Sequence, residues 1–256
     1  MFGRKKQQAN PSGDALFLYT ADGVARQGFD SEITSGLRRM LTGLLYRSEL
    51  PAKIGIVSAL REEGVTYTAL ATGLALAHDT PRRICVIETN WWFPGLQDLL
   101  EPQDAKGRKK NQVSVAEPTL EQSPGLAGVL QNEISLDEAL IATSLDNLSL
   151  LPAGSLPVEV RPGYARSEQL PKVLADLGNQ FDHLILDIPA LLSTSDSIAL
   201  VSHCDACCMV VRQGATSVNQ VRLALDEIRH LQMMGVILNR ARIYIPRWIR
   251  SLIEQE

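Results

Sequence analysis

From Pro51 onward the chain alternates between two kinds of segment. Short runs rich in Ile, Val and Leu lie at Lys53–Val57, Arg83–Ile87, Leu148–Leu151, His183–Leu186, Ala206–Val211 and Met234–Leu238. Helical stretches separate them, at Thr66–His78, Ser167–Asn179, Ser193–Ser202 and Ser217–Leu231. The strand runs lack the polar–apolar alternation of a strand with one wet face. Joined by helices, they predict an α/β fold, a parallel sheet with helices on both faces. Such sheets bind ligands at the carboxyl ends of their strands, so the residues after each run carry the functional question.

Upstream, Ala15–Thr20 predicts a short strand closed by Asp22-Gly23. Ile33, Leu37, Met40, Leu41, Leu44 and Leu45 recur at helical spacing over Ser31–Tyr46, with Ser31 as the N-cap. Residues 1–14 are polar with a basic cluster, Gly3-Arg-Lys-Lys6, and read as a disordered leader rather than a secretory signal. One domain is expected over 15–242, followed by a tail at 243–256. At 256 residues and 45% hydrophobic, such a domain builds its core without disulfide or metal. Net charge of −4 argues against nucleic acid as a partner, and no apolar run reaches the about 18 residues of a membrane span. Cys85, Cys204, Cys207 and Cys208 lie in apolar runs and read as reduced core thiols of a cytoplasmic protein. Between Glu101 and Ser123 periodicity is lost around Lys106-Gly-Arg-Lys-Lys110, either a solvated loop or a contact for acidic lipid or an acidic partner.

The first buried run leads into Ser58-Ala-Leu-Arg-Glu-Glu-Gly-Val-Thr66 and then an Ala/Leu-rich helix. That is the layout of a phosphate loop, in which backbone N–H groups surround phosphate, a Lys reaches its outer oxygens and a hydroxyl binds Mg²⁺. Gly64 and Thr66 hold the final Gly and hydroxyl positions, whereas Val65 replaces the Lys. Glu62 and Glu63 add carboxylates where polyanions would sit, and read as a solvated pair on an exposed turn. On the loop alone, a plain strand–turn–helix serves equally well.

Further segments, in order, resemble the bacterial tyrosine kinases of capsule and exopolysaccharide synthesis (BY-kinases of the CpsD/CapB type), relatives of the MinD/ParA ATPases. The family loop Ser-x-x-Pro-Gly-x-Gly-Lys-Ser/Thr aligns without a gap, with Arg61 at the Pro, Glu62 at a Gly and Val65 at the Lys. The family's Asp-x-Asp, basic pair and Pro become Glu88, Asn90, Trp91-Trp92-Phe93 and Pro94. Asn147–Pro157 resembles the Leu-Pro-Ala-Gly turn, Phe181–Pro189 the Walker B segment ending on Asp187, and Asp196 a further family acid. Asn239 stands where related ATPases contact adenine, and Glu32 and Arg38 retain two of three residues of the family's ring-forming helix motif.

The resemblance implies ATP and Mg²⁺ as cofactors. Ser58, Arg61, Glu62, Glu63, Gly64, Val65, Thr66 and Asn239 would surround nucleotide. Asp187 and Glu88 would be the catalytic acids, and Thr66, Glu88 and Asp187 the metal ligands, with Glu88 acting through a metal-bound water. Loss of the Lys and of the Asp-x-Asp pair, with Glu62 obstructing a turn that needs φ > 0, predicts a weak or inactive kinase. The expected role is a regulatory or scaffolding subunit that docks a polysaccharide chain-length or export membrane protein, or a sister kinase, with homo-oligomerisation also open. The alternatives are a working ATPase or tyrosine autokinase, with Arg61 or a neighbouring subunit supplying the charge, and a MinD-like positioning protein. Active family members end in a tyrosine cluster, whereas this tail has Tyr244 alone. Trp91, Trp92 and Phe93 read either as a plug in the nucleotide space or as a partner contact. In the tail, Trp248, Ile249 and Leu252 share one helical face, for docking on the domain, on a partner or on the inner face of the membrane.

Overall fold

The runs without alternation fill the inside of a seven-stranded sheet. The structure, a computed structural model, describes residues 15–47, 50–100 and 123–241. The strands are β1 (Leu16–Tyr19), β2 (Ala25–Phe29), β3 (Lys53–Ser58), β4 (Ile84–Glu88), β5 (Ile141–Ala142), β6 (Leu148–Leu151), β7 (His183–Asp187), β8 (Ala206–Arg212) and β9 (Gln232–Asn239). The helices are α1 (Ser31–Tyr46), α2 (Val65–Asp79), α3 (Leu96–Leu100), α4 (Gly125–Leu130), α5 (Leu136–Ala139), α6 (Arg161–Ala165), α7 (Gln169–Gln180), α8 (Asp196–Val201) and α9 (Val218–Glu227).

The sheet order is β5-β6-β4-β7-β3-β8-β9, with β1 and β2 a separate antiparallel hairpin. Every pair in the large sheet is parallel except β5–β6. All residues of β4 and β7 are buried, and all of β3 beyond Lys53. This explains the missing alternation: both faces of these strands meet helices. On one face lie α1, α2, α3 and the hairpin, and on the other α4 to α9, each layer closing its own apolar core.

Helix α2 is sandwiched between the sheet and α1, and residues 68–77 are all buried. Such all-round burial accounts for its Ala/Leu composition. A Cβ at Gly73 would lie 2.3 Å from Val86 Cγ2, so glycine is what lets α2 rest directly on β4. Helix α1 begins as expected at Ser31, but Asp30 takes the N-cap position and Ser31 is the first helical residue.

One strand departs from its expected environment. Met234–Leu238 belongs to a sheet edge, and Val236 and Leu238 are 55% and 52% exposed. Among the described residues no strand pairs beyond β9, so composition alone marked it as buried. The four cysteines are reduced and buried, as core residues, with burial pushing the Cys207 and Cys208 thiols up to about 11 and about 12. No helix among the described residues is long and apolar enough to cross a membrane. The leader at 1–14, the Lys106–Lys110 cluster, Tyr244 and the tail residues Trp248, Ile249 and Leu252 lie outside the described residues.

Candidate functional site

At the carboxyl edge of the sheet, the segments following β3, β4, β7 and β9 enclose a cavity of about 650 Å³ over the start of α2. Its wall includes Ser58, the loop residues 61–66, Trp92, Phe93, Asp98 and Arg240. The volume is that of an ordinary small-molecule site.

The loop has the shape its sequence had put in question. Glu62 adopts φ 62° and Gly64 φ 97°. A residue with a Cβ meets a cost of about 1 kcal/mol there. Glu62 therefore strains the turn without blocking it. No side chain caps α2, which leaves its first backbone N–H groups without helical partners beside the cavity.

Glu63 is not a solvated partner of Glu62. It is buried, and its carboxylate accepts hydrogen bonds from the N–H of Leu60 (2.8 Å), the N–H of Arg212 (3.2 Å) and the hydroxyl of Thr216. These bonds fasten the loop to the end of β8. The Asn239 amide, expected on a nucleotide base, donates instead to the Glu63 carbonyl at 2.7 Å. A Cβ on Gly64 would fall 2.2 Å from that amide nitrogen, so this contact requires glycine. Ser58 likewise turns inward, its hydroxyl donating to the Leu60 carbonyl at 2.7 Å.

The two acids at the ends of β4 and β7 have different surroundings. Glu88 accepts from the N–H groups of Gly95 (2.6 Å) and Leu96 (2.8 Å) on one oxygen, and from Ala153 (3.0 Å) on the other. Its longer side chain joins the start of α3 to the turn after β6. Burial raises the Glu88 pKa, while those three N–H groups oppose the rise. Glu88, which the sequence suggested as a metal and catalytic acid, thus braces the start of α3 and the turn after β6. Asp187 sits beside it in the β4–β7 register, 1% exposed, with no hydrogen-bond partner on either oxygen. Burial, and then the Glu88 charge, hold its carboxyl well above the usual range, and the nearby Thr66 hydroxyl pulls weakly the other way. Since Glu88 has three donors and Asp187 none, the proton belongs on Asp187.

Thr66 lines the cavity, whereas Glu88 and Asp187 do not reach its wall. Asn90 is held within its own turn, donating to the Phe93 carbonyl (2.9 Å) and accepting from its N–H (3.1 Å). Among the described residues no three His, Cys, Asp or Glu side chains gather as a metal site. Mg²⁺ at a phosphate site is usually held by one or two carboxylates, waters and the phosphate itself, and Thr66 on the wall with the orphaned Asp187 carboxylate beside it are the residues here that would take part.

The aromatic triplet divides in three. Trp91 is buried and donates its indole N–H to the Ala153 carbonyl at 2.9 Å, which removes it from the interface candidates and makes it a core plug. Trp92 is half-buried, and Phe93 is 46% exposed with the Arg61 guanidinium 3.2 Å from its ring centroid. Arg240, with φ 53°, also lines the cavity; no sequence pattern pointed to it. Elsewhere, Glu32 is exposed on α1, while Arg38 pairs with Asp79 at 2.9 Å and so ties α1 to α2 within the chain. Asp196 is paired with Arg166.

No protein-family model matches the chain. Among curated proteins it is 24% identical over 201 residues to tyrosine-protein kinase CpsD of Streptococcus pneumoniae, a match covering 71% of this chain and 86% of that one. It is 26% identical over 122 residues to tyrosine-protein kinase ptk of Acinetobacter johnsonii, covering 47% of this chain but 16% of ptk. A third match, the succinoglycan biosynthesis transport protein ExoP of Rhizobium meliloti, is 26% identical over 191 residues and is covered to 22% of its length. These relatives are tyrosine kinases and a transport protein of polysaccharide synthesis, and the chain is similar to them at this level. The fold agrees: the VpsO kinase domain superposes with a TM-score of 0.67 at 20% identity, covering 82% of this chain and 96% of that one. The cell division ATPase MinD of Pyrococcus furiosus follows at 0.57 and 21% identity, covering 80% of each. This chain spans most of CpsD but only a small part of the longer ptk and ExoP.

Proposed function

We propose that this chain is a BY-kinase-fold subunit of bacterial polysaccharide synthesis and export that regulates or scaffolds rather than transfers phosphate. Similarity to CpsD and ExoP supports the pathway. The site supports the non-catalytic role. The observation that carries it is Val65 on the cavity wall where a phosphate loop places its Lys, in a loop that otherwise keeps its shape. Phosphoryl transfer depends on positioned charge, and removing one preorganised donor typically costs about 10²–10³ in rate. The loss of Glu88 and Asn90 to backbone bonds acts in the same direction.

Docking on a membrane chain-length or export protein, or on a sister kinase, is the partner reading that follows. A second reading, an active ATPase or autokinase, rests on Arg61, whose guanidinium lies at the cavity and enters no ion pair among the described residues. Intact-mass spectrometry after incubation with ATP and Mg²⁺ separates the two. No added phosphate supports the non-catalytic role, and stoichiometric phosphorylation on tyrosine refutes it.

A further inference from the structure

The last strand of the sheet, β9, pairs with no further strand among the described residues. Across Gln232–Asn239 it carries neither a charged residue nor a proline, the usual guards of an open edge. Val236 and Leu238 are more than half exposed on it. Beside this strand lies a second cavity, a groove of about 870 Å³ between β9 and α1. Ile33, Leu37 and Met40 form its α1 wall, Met234 and Ile237 its β9 wall, and all five belong to the same apolar core. Two exposed carboxylates, Asp30 and Glu32, line it at the start of α1.

The chain itself supplies an occupant. Arg240 and Ala241, the last described residues, also line this groove, so residues 242–256 depart from its wall. Their sequence sets Trp248, Ile249, Leu252 and Ile253 at helical spacing among Arg242, Arg247 and Arg250, with Glu254 and Glu256 beyond. The apolar set matches the groove wall, and the arginines match Asp30 and Glu32. At about 1.5 Å per residue, a helix over 246–256 is about 16 Å long and fits beside the about 24 Å of α1. The tether at Ala241 holds the segment near the groove at about millimolar local concentration.

We infer that residues 242–256 fold back into the groove between α1 and β9, with Trp248, Ile249 and Leu252 on its apolar wall and the arginines toward Asp30 and Glu32. Seated there, the segment shields the β9 edge and covers the face of α1 that carries Glu32. It also borders the first cavity, since Gly64, Tyr67, Leu99 and Arg240 line both. The inference holds whether or not the chain transfers phosphate.

Cross-linking within the full chain tests this. The four native cysteines are buried, so introduced thiols react selectively. Gly36→Cys puts a thiol on the groove, where a Cβ meets nothing within 4 Å. Gly178→Cys puts one in equally open space on α7, on the other face of the sheet. Each is combined with Ser251→Cys and treated with a short bismaleimide. The expected result, read by intact mass, is a link within one chain from Gly36→Cys and none from Gly178→Cys. Trp248→Asp should slow that link by about tenfold or more, by removing the largest apolar anchor. Glu32→Lys should slow it about two- to five-fold, by reversing an exposed charge. These two substitutions lie on opposite sides of the contact, so either alone reports it, and melting curves establish that each variant folds. Equal linking at both positions, no link at either, a link that Trp248→Asp and Glu32→Lys leave unchanged, or a cross-linked dimer in place of the link within one chain overturns the inference.

Discussion

Asp187→Asn should change the pH dependence of stability in a defined direction. In the folded chain Asp187 is 1% exposed, accepts no hydrogen bond and faces Glu88 across the β4–β7 register, so its carboxyl stays protonated above the ordinary range. In the unfolded chain it titrates near its ordinary value. As pH rises between those two pKa values the folded state holds a proton that the unfolded state has released, and stability falls by about 1.4 kcal/mol per pH unit. Asn has no such proton. The stability difference, variant minus wild type, should therefore increase with pH through that window and become level above and below it. For a chain of this size the slope corresponds to about 3–6 °C in melting temperature per pH unit. Any fixed cost of placing an amide at this site shifts the curve without changing its slope. Thermal melts of both proteins from pH 4 to about pH 8 read it directly. A difference that is flat with pH, or that shrinks as pH rises, would refute the assignment of the proton to Asp187.

Two further substitutions probe the frame of the site. Glu88→Gln leaves one acceptor oxygen for three N–H groups and should cost about 2–3 kcal/mol, measured by urea denaturation; an unchanged midpoint would show that the brace carries no load. Gly73→Ala places a Cβ 2.3 Å from Val86 and should destabilise by about 1–3 kcal/mol, whereas Gly36→Ala, which meets nothing within 4 Å, should not destabilise.

Much of the fold was legible because the buried strands and α2 leave a compositional mark: no side of them is wet. The runs at β3, β4, β6, β7 and β8 matched within one residue at each end. The β2 strand, Ala-Arg-Gln-Gly-Phe, escaped notice because it is half exposed and one apolar residue anchors it. β9 was recognised as a strand, but the exposure of Val236 and Leu238 depends on which strand lies last, which no local pattern records. The candidate site was legible in its backbone path and not in its side-chain partners. Positions 58–66 follow a loop whose shape is set by Glu62 and Gly64, yet nothing adjacent to Glu63 announces Arg212 and Thr216, about 150 residues downstream. The same holds for Glu88, whose sequence position resembled that of a metal acid while its extra methylene group carries it to the N–H groups of Gly95, Leu96 and Ala153. Trp91 was one of three equivalent aromatics until the Ala153 carbonyl fixed its indole inside the core.

We propose a kinase fold kept without phosphoryl transfer. ADP release from ATP, measured for the purified wild type with Mg²⁺ and beside Arg61→Ala, tests it most directly. The expected result is a rate for both proteins equal to that of buffer alone. Mg²⁺-dependent release by the wild type that disappears in Arg61→Ala would contradict it, and would make Arg61 the working replacement for the missing lysine.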